Sequence, residues 1–450
     1  MKSIRVFKLQ KYGKLLIDLK FAIGILALIA FTSSLGSFIE QDEPRSFYEE
    51  NYSNPIYGFI DANFILKLGL DHIYTTWWFL SLLAILSFSL IGCTITRQFP
   101  LFKNSKEYFF KAKNDSFLNL PFSIKIKNIY YFKETILSKI QEWNFYIYQK
   151  GNVIYGYKGL IGRLSPILVH FSLLVILGGS TLGAFENFKA QEILPKGEVF
   201  HIQNPLRVGW KTNIPPIPTR INDFWVEYEK NRIHQFYSNI SILDNFGNEI
   251  LNQTISVNNP LRYKNIDFYQ SDWNLIGIRV KNQKENKIIE FPLFPLKNNT
   301  KSWITWINEI RENTGDQGSP SGALKQEIKT LVFDQLQQIV FIYDEKGNFL
   351  NIKNNGEAIS QNLIFIDILP STGLLIKYDP SITIIYFGFG LLMITACLSY
   401  LPYTQIWICN TKKNCWIGSS TNRGKIQFEI EFENYIRYFE YQINKTPFIK

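Results

Sequence analysis

The sequence predicts a multi-span α-helical membrane protein with four transmembrane helices and a large mainly-β extramembrane domain between helices 3 and 4. Three observations predict it. Four apolar stretches each approach the roughly 20 residues needed to cross a hydrocarbon core. The segments joining them alternate in charge. The long segment after the third stretch carries short alternating runs between Gly/Asn/Asp turns. The chain has 450 residues and is 46% apolar, yet its mean hydropathy is only -0.05, so its apolar residues must be concentrated in segments.

The spans are expected at residues 21–39, 75–96, 164–184 and 382–403. As helices they satisfy their own backbone hydrogen bonds, which lipid requires. The first is no signal peptide: Lys20 stands directly before a long apolar run, and no small-residue cleavage site follows. Charge sets the orientation. Residues 1–20 hold six Lys/Arg and one acid, whereas the loop 40–74 holds two and seven. The loop 97–163 holds twelve Lys/Arg and four acids, and the tail 404–450 holds seven and four. The N-terminus, second loop and tail therefore belong on the cytoplasm-like side. The acidic loop and the domain 185–381 belong on the far side, with Trp77 and Trp78 at the far interface. The net charge of +10 is thus a membrane-orientation signal and does not indicate nucleic-acid binding.

Within 185–381, three hairpins are expected. Residues 236–243 precede the turn Asp244-Asn245-Phe246-Gly247, and 277–280 pairs with 288–294. Residues 339–343 and 348–352 flank Asp344-Glu345-Lys346-Gly347. Residues 214–219 read as an extended Pro-rich connector, and 303–311 and 321–328 as helices. Residues 371–380 read as a connector leading into the fourth span. The loop 97–163 reads as a small α+β unit with a helix near 133–142.

The search for chemistry excludes several classes. There is no Gly-rich phosphate loop, no HExxH and no CxxCH haem-attachment motif. Cys93 and Cys397 sit in apolar runs, and Cys409 and Cys415 are spaced too widely for a redox pair or a zinc half-site. Only four histidines exist: His72, His170, His201 and His234. His170 lies about 9 Å inside the third span, counted at 1.5 Å per residue. A titratable group at that depth usually faces a partner, a cavity or a cofactor, and neutral imidazole is a usual axial ligand of haem iron. The competing reading is a histidine hydrogen-bonded to a neighbouring helix. Gly178, Gly179 and Gly183 on the same helix would admit a close helix or a flat ring. His72, at the far-side mouth of the second span, is the weaker candidate. His201 and His234 read as surface histidines. The aromatic-dense stretch from Asn258 to Trp273 reads as a turn and strand with core aromatics, or as a docking surface.

Three segments carry a family resemblance. They are Leu70-Asp71-His72-Ile73-Tyr74-Thr75-Thr76-Trp77-Trp78 with Cys93-Thr94-Ile95-Thr96-Arg97; Gly162 through His170; and Ser256–Tyr263 with Ser371–Pro380. In order and spacing they resemble the ResB/CcsB family of cytochrome c biogenesis proteins (system II), in its plastid and cyanobacterial branch. The resemblance implies a membrane subunit that works with CcsA to join haem covalently to apocytochromes c, such as cytochrome f, on the lumenal side of a thylakoid. It implies haem b as a transient ligand and His170 as its axial iron ligand. CcsA carries a tryptophan-rich haem motif; this chain has none, so it would be the complementary subunit of a haem lyase complex and not an enzyme alone. A structural scaffold that stabilises CcsA without touching haem is the alternative. The basic start Met1-Lys2-Ser3-Ile4-Arg5, with no room for a transit peptide, and the Lys/Asn/Ile/Phe-rich composition suggest a plastid-encoded protein. A cyanobacterial origin is the other option.

Overall fold

The structure is a computed structural model; it describes residues 15–54, 60–111, 115–127, 133–229, 232–296, 302–312, 324–334, 339–360, 362–411 and 414–445. The chain divides into two compact units, 1–184 with 381–450, and 185–380.

The first unit holds four helices long and apolar enough to cross a membrane. Helix α1 (Leu19–Phe38) is capped by Asp18, whose carboxylate accepts from the Lys20 amide. Short helices α2 (Arg45–Asn51) and α3 (Ala62–Leu68) fold the acidic loop into a cap, and a 3₁₀ segment (Leu70–Thr75) then leads into α4 (Trp77–Cys93). Fully buried Tyr48, Ile65 and Ile73 centre that cap. Gln41 ties it together by donating to the Leu70 carbonyl at 2.8 Å and accepting from the Ile73 amide at 3.0 Å. Desolvation by this burial pushes the Tyr48 hydroxyl up to about 12.

The second membrane helix runs past its expected end. A π-helical turn (Thr94–Gln98) joins α4 to α5 (Phe99–Lys106), making one helix of 30 residues from Trp77 to Lys106. Helix α6 (Asp115–Leu118) follows, with α7 (Lys133–Glu142) at its expected place. The third span is α8 (Ile161–Glu186), 26 residues long, and the fourth is α9 (Ser381–Leu398). Helices α8 and α9 approach closely where both lack side chains: a Cβ on Gly179 would lie 2.9 Å from Ile385, and one on Gly388 would lie 2.7 Å from Ile176. That helix contact accounts for Gly179; Gly178 has open space around it.

The basic loop and the C-terminal tail, expected as separate segments, form one antiparallel sheet. Strands β1 (Phe122–Lys127), β2 (Tyr146–Lys150) and β3 (Val153–Lys158) come from the loop; β19 (Thr404–Asn410) and β20 (Asn414–Thr421) come from the tail. The order is β1-β20-β19-β3-β2. Helix α10 (Lys425–Lys445) lays Phe428, Phe432, Tyr435, Ile436 and Phe439 on one face, against Ile154, Ile406, Ile408 and Ile417. Phe117, Tyr155 and Trp407 fill the other. Because both faces are covered, β19 has no polar side to mark it in sequence.

The second unit is all β among its described residues. It contains β4 (Phe188–Pro195), β5 (Val199–Phe200), β6 (Pro205–Val208), β7 (Thr219–Glu229), β8 (Arg232–Leu243), β9 (Glu249–Ser256), β10 (Leu261–Tyr263) and β11 (Ile266–Asn282). Then come β12 (Lys287–Pro292), β13 (Phe294–Pro295), β14 (Ser302–Glu312), β15 (Leu324–Asp334), β16 (Ile339–Tyr343), β17 (Phe349–Asn354) and β18 (Leu363–Tyr378). Three sheets result: β10-β11-β18-β4-β6 with β12 also on β11, then β5-β7-β8-β9, then β13-β14-β15-β16-β17. The long β11–β18 ladder serves both cores. Phe268, Leu374 and Ile376 pack with Ile221, Ile240 and Ile255; Leu275, Ile278 and Phe365 pack with Trp303, Leu331 and Phe333. Bulges between Gln270 and Asp272 and between Leu275 and Gly277 re-aim β11 from one core to the other.

The three expected hairpins are present. Two turns repeat one device. Asp244 and Asp344 each accept from the backbone and side chain of the residue four on, Asn248 or Asn348, with Gly247 and Gly347 at φ +85° and +81°. Residues 212–218 are the extended connector.

Two expectations are corrected. Residues 303–311 and 324–328 are strands β14 and β15, paired from Ser302↔Asp334 to Glu312↔Leu324; 321–323 lie outside the described residues. Trp303, Trp306, Ile307 and Ile310 fit helical spacing, but β-branched and aromatic residues with a partner strand prefer the pleated surface. Residues 371–378 are no connector: they are the end of β18, paired with β4 on one side and β11 on the other.

Glu192 shows how a buried charge organises this unit. It is 4% exposed, and its carboxylate accepts from the amides of Gln203 and Asn204 and from the Asn204 side chain at 2.6–2.8 Å. Glu192→Ala should cost about 2–4 kcal/mol, since it strands two backbone donors; thermal unfolding of the full chain would measure it.

Candidate functional site

His170 sits on α8, half-buried, opposite the π-helical turn of the second membrane helix. Its Nδ1 lies 2.8 Å from Thr94 Oγ1. The Thr94 hydroxyl has one proton and two acceptors in reach, the Leu90 carbonyl at 2.7 Å and Nδ1 itself. When it donates to Leu90 it accepts from a protonated Nδ1, and that tautomer keeps the Nε2 lone pair. No hydrogen bond to Nε2 is found among the described residues. A histidine ligand is held this way: one nitrogen is fixed by a hydrogen bond and the other presented to the metal. The contact also meets the competing expectation of a helix-to-helix hydrogen bond, but through one nitrogen only.

Local sequence explains the placement. The π turn inserts an extra residue per turn, a distortion that costs helix stability and collects at functional positions. Here it starts at Thr94 and delivers that hydroxyl to the facing helix. Thr94 was quoted in the sequence only as part of a resemblance. Nothing local marks it as the partner of a residue 76 positions away. Pro166, inside α8 and one turn before His170, removes one backbone donor from that helix. Thr94→Val should leave Nδ1 unpaired and weaken any metal bound at Nε2 about 10-fold, the lower end for losing a supporting hydrogen bond; a ligand titration would show it.

His72 is placed elsewhere, in the capped far-side loop. It occupies the kink of the 3₁₀ segment at φ −146°, ψ 48°, with Nδ1 2.8 Å from Asp71 Oδ2 and its side chain 46% exposed. Some 22 residues of largely helical chain separate it from Thr94, about 33 Å at 1.5 Å per residue. The two candidates therefore do not share a site. His201 and His234 are exposed; His234 lies 3.4 Å from Glu229. Phe268 is a core residue and Trp273 packs against Trp303, which suits the core reading of that aromatic stretch.

The cysteines form no cluster, for a reason spacing did not show. Cys409 and Cys415 are neighbours across the β19–β20 hairpin, but Cys409 pairs with Trp416 and Cys415 with Asn410, so they point to opposite faces. Burial raises both thiols, Cys415 to about 12, which keeps them protonated and unreactive. Among the described residues no cluster of three or more His, Cys, Asp or Glu side chains is placed to hold a metal ion.

Comparison with known proteins gives consistent matches. The chain matches the ResB-like family over residues 19–360 and 310–433. It is 44% identical over 434 residues to the cytochrome c biogenesis protein Ccs1 of Trieres chinensis, covering 95% of this chain and 100% of that one. It is 40% identical to Ccs1 of Pyropia yezoensis (96% and 95% covered), and 37% identical to the cytochrome c biogenesis protein CcsB of the Crocosphaera subtropica strain (95% and 94%).

Proposed function

The chain belongs to the ResB-like family, and from that premise we propose that it is the membrane subunit that passes haem to apocytochromes c. Its role lies in cytochrome c maturation, as the names of its relatives support. The finer reading has three parts. The subunit works with CcsA in a thylakoid membrane. The β unit 185–380 lies in the lumen and shapes the apocytochrome docking site. His170 is an axial ligand of haem b while haem is in the membrane.

The observation that carries the reading is the Thr94–His170 contact, which engages Nδ1 and leaves Nε2 without a hydrogen bond among the described residues. Haem is cargo here. The chain's own part is to hold one imidazole at fixed orientation and to exclude water around it with apolar helices. Thioether formation needs reduced iron and free thiols on the apocytochrome. No cysteine lies between Ala184 and Ile382, so the β unit supplies no thiol reductant. The charge asymmetry of the loops supports the lumenal placement.

The test is purification of the complex with CcsA, followed by absorption spectroscopy. A bis-histidine haem spectrum that disappears in His170→Ala is the expected result. Loss-free spectra, or a complex without pigment, would leave only a scaffold for CcsA.

A further inference from the structure

Arg163 stands two helical turns before His170 on α8. Its Nε is buried and makes no hydrogen bond. Its guanidinium lies 5.1 Å over the ring of Tyr403. That ring is itself fixed, for Tyr403 is 2% exposed and its hydroxyl donates to the Ser105 carbonyl at 2.9 Å. Among the described residues no carboxylate pairs with Arg163. A partly buried cation without a counter-charge is costly, and removing it from water is not repaid by stacking alone.

Its position gives that cost a purpose. Seven residues of helix place Arg163 on nearly the same face as His170, about 10.5 Å away along the axis. Arg97, which is exposed, lies three residues past Thr94 in the π turn. Tyr403 joins the Arg163 end of α8 to Ser105 near the end of α5. Counted along their helices, both arginines are therefore carried on the Ser105 side of the Thr94–His170 contact. The planar fork of arginine suits a carboxylate, which it can bind through two parallel hydrogen bonds.

We propose that Arg163, together with Arg97, forms an anion subsite that holds the propionate carboxylates of the haem ligated at His170. This rests on the haem reading above and adds to it how the ring is oriented: its two carboxylate arms, on one edge, are turned to the side of the ligand on which both arginines are carried. The same chemistry could be met by an anionic lipid headgroup, so the experiment separates the two.

The full chain with CcsA, in nanodiscs, is titrated with haem and with haem dimethyl ester, whose propionates are neutral. Wild type should bind haem about 10- to 100-fold more tightly than the ester, the range for charged hydrogen bonds. Arg163→Gln should bring that ratio near one, with the ester affinity and bis-histidine spectrum unchanged, and Arg163→Lys should keep part of it. Arg97→Gln should give a smaller loss of the same kind. An unchanged ratio in Arg163→Gln would overturn the proposal, as would equal loss of haem and ester. An effect seen only in anionic lipid, and absent in zwitterionic nanodiscs, would assign Arg163 to the headgroup instead. The His170→Ala spectrum judges the ligand reading separately: its failure would appear as a retained bis-histidine spectrum in that variant, whatever Arg163 does.

Discussion

Cells carrying His170→Ala are expected to lose haem-stained c-type cytochromes while the altered chain still accumulates in the membrane. The argument is one of replacement. Alanine removes the only imidazole on the second and third membrane helices, and the next histidine, His72, is some 33 Å of helix away and is held by Asp71. Removal of a supporting hydrogen bond to a metal ligand costs 10- to 100-fold in affinity, and loss of the ligand itself should exceed that. Stability should change little. His170 is half-buried and makes one side-chain hydrogen bond, with Thr94, and such bonds between membrane helices are worth about 0.6 kcal/mol on average. Haem staining of cytochrome f beside immunodetection of the chain decides it. Normal staining would remove His170 from the mechanism, and His72→Ala would be tried next.

The largest stability loss is expected from Gly159→Ala. Gly159 lies between β3 and α8 at φ +78°, a left-handed conformation that costs an L-residue about 1–2 kcal/mol. Space is the greater obstacle. A Cβ there would sit 2.0 Å from the Pro402 carbonyl oxygen, and one on Gly162 would sit 2.0 Å from that of Leu401. Both obstacles are backbone, so no side chain can swing aside. The two glycines let the start of α8 lie directly on the segment that leads from α9 into β19. The cost should reach at least about 3 kcal/mol. Gly151→Ala is the control: it has φ +59° but open space around it, so only the conformational penalty applies. Thermal unfolding of the two variants side by side is the measurement. Equal midpoints would mean that the close approach does not hold the unit together.

Much of the fold was legible because its signals are local. Each span announces itself by a run of apolar residues, and each hairpin by Asp, Asn and Gly at turn positions, as at Asp244–Asn248 and Asp344–Asn348. Strand β14 carries Trp303, Trp306, Ile307 and Ile310 at helical spacing, and only its pairing with β15 puts Trp303 and Ile307 on one face and Trp306 on the other. His170 stood out as one imidazole in an apolar run. Its supporting hydroxyl did not, since a threonine near a helix end is unremarkable until the π turn aims it. Arg163 looked like one more positive charge on the basic side; its buried, unpartnered Nε became visible only with Tyr403 packed over it.

By itself the sequence determined the four spans, the β character of the unit between the third and fourth, and the histidine worth testing, because hydrophobicity, turn chemistry and the cost of a titratable group in lipid act on short stretches of chain. Tertiary structure decided what distant stretches do to one another. It built the tail into the sheet of the second loop, made β18 a central strand, and set Thr94 against His170. These pairings depend on complementary edges and faces across tens to hundreds of residues, and a residue's own neighbours in sequence carry no trace of them.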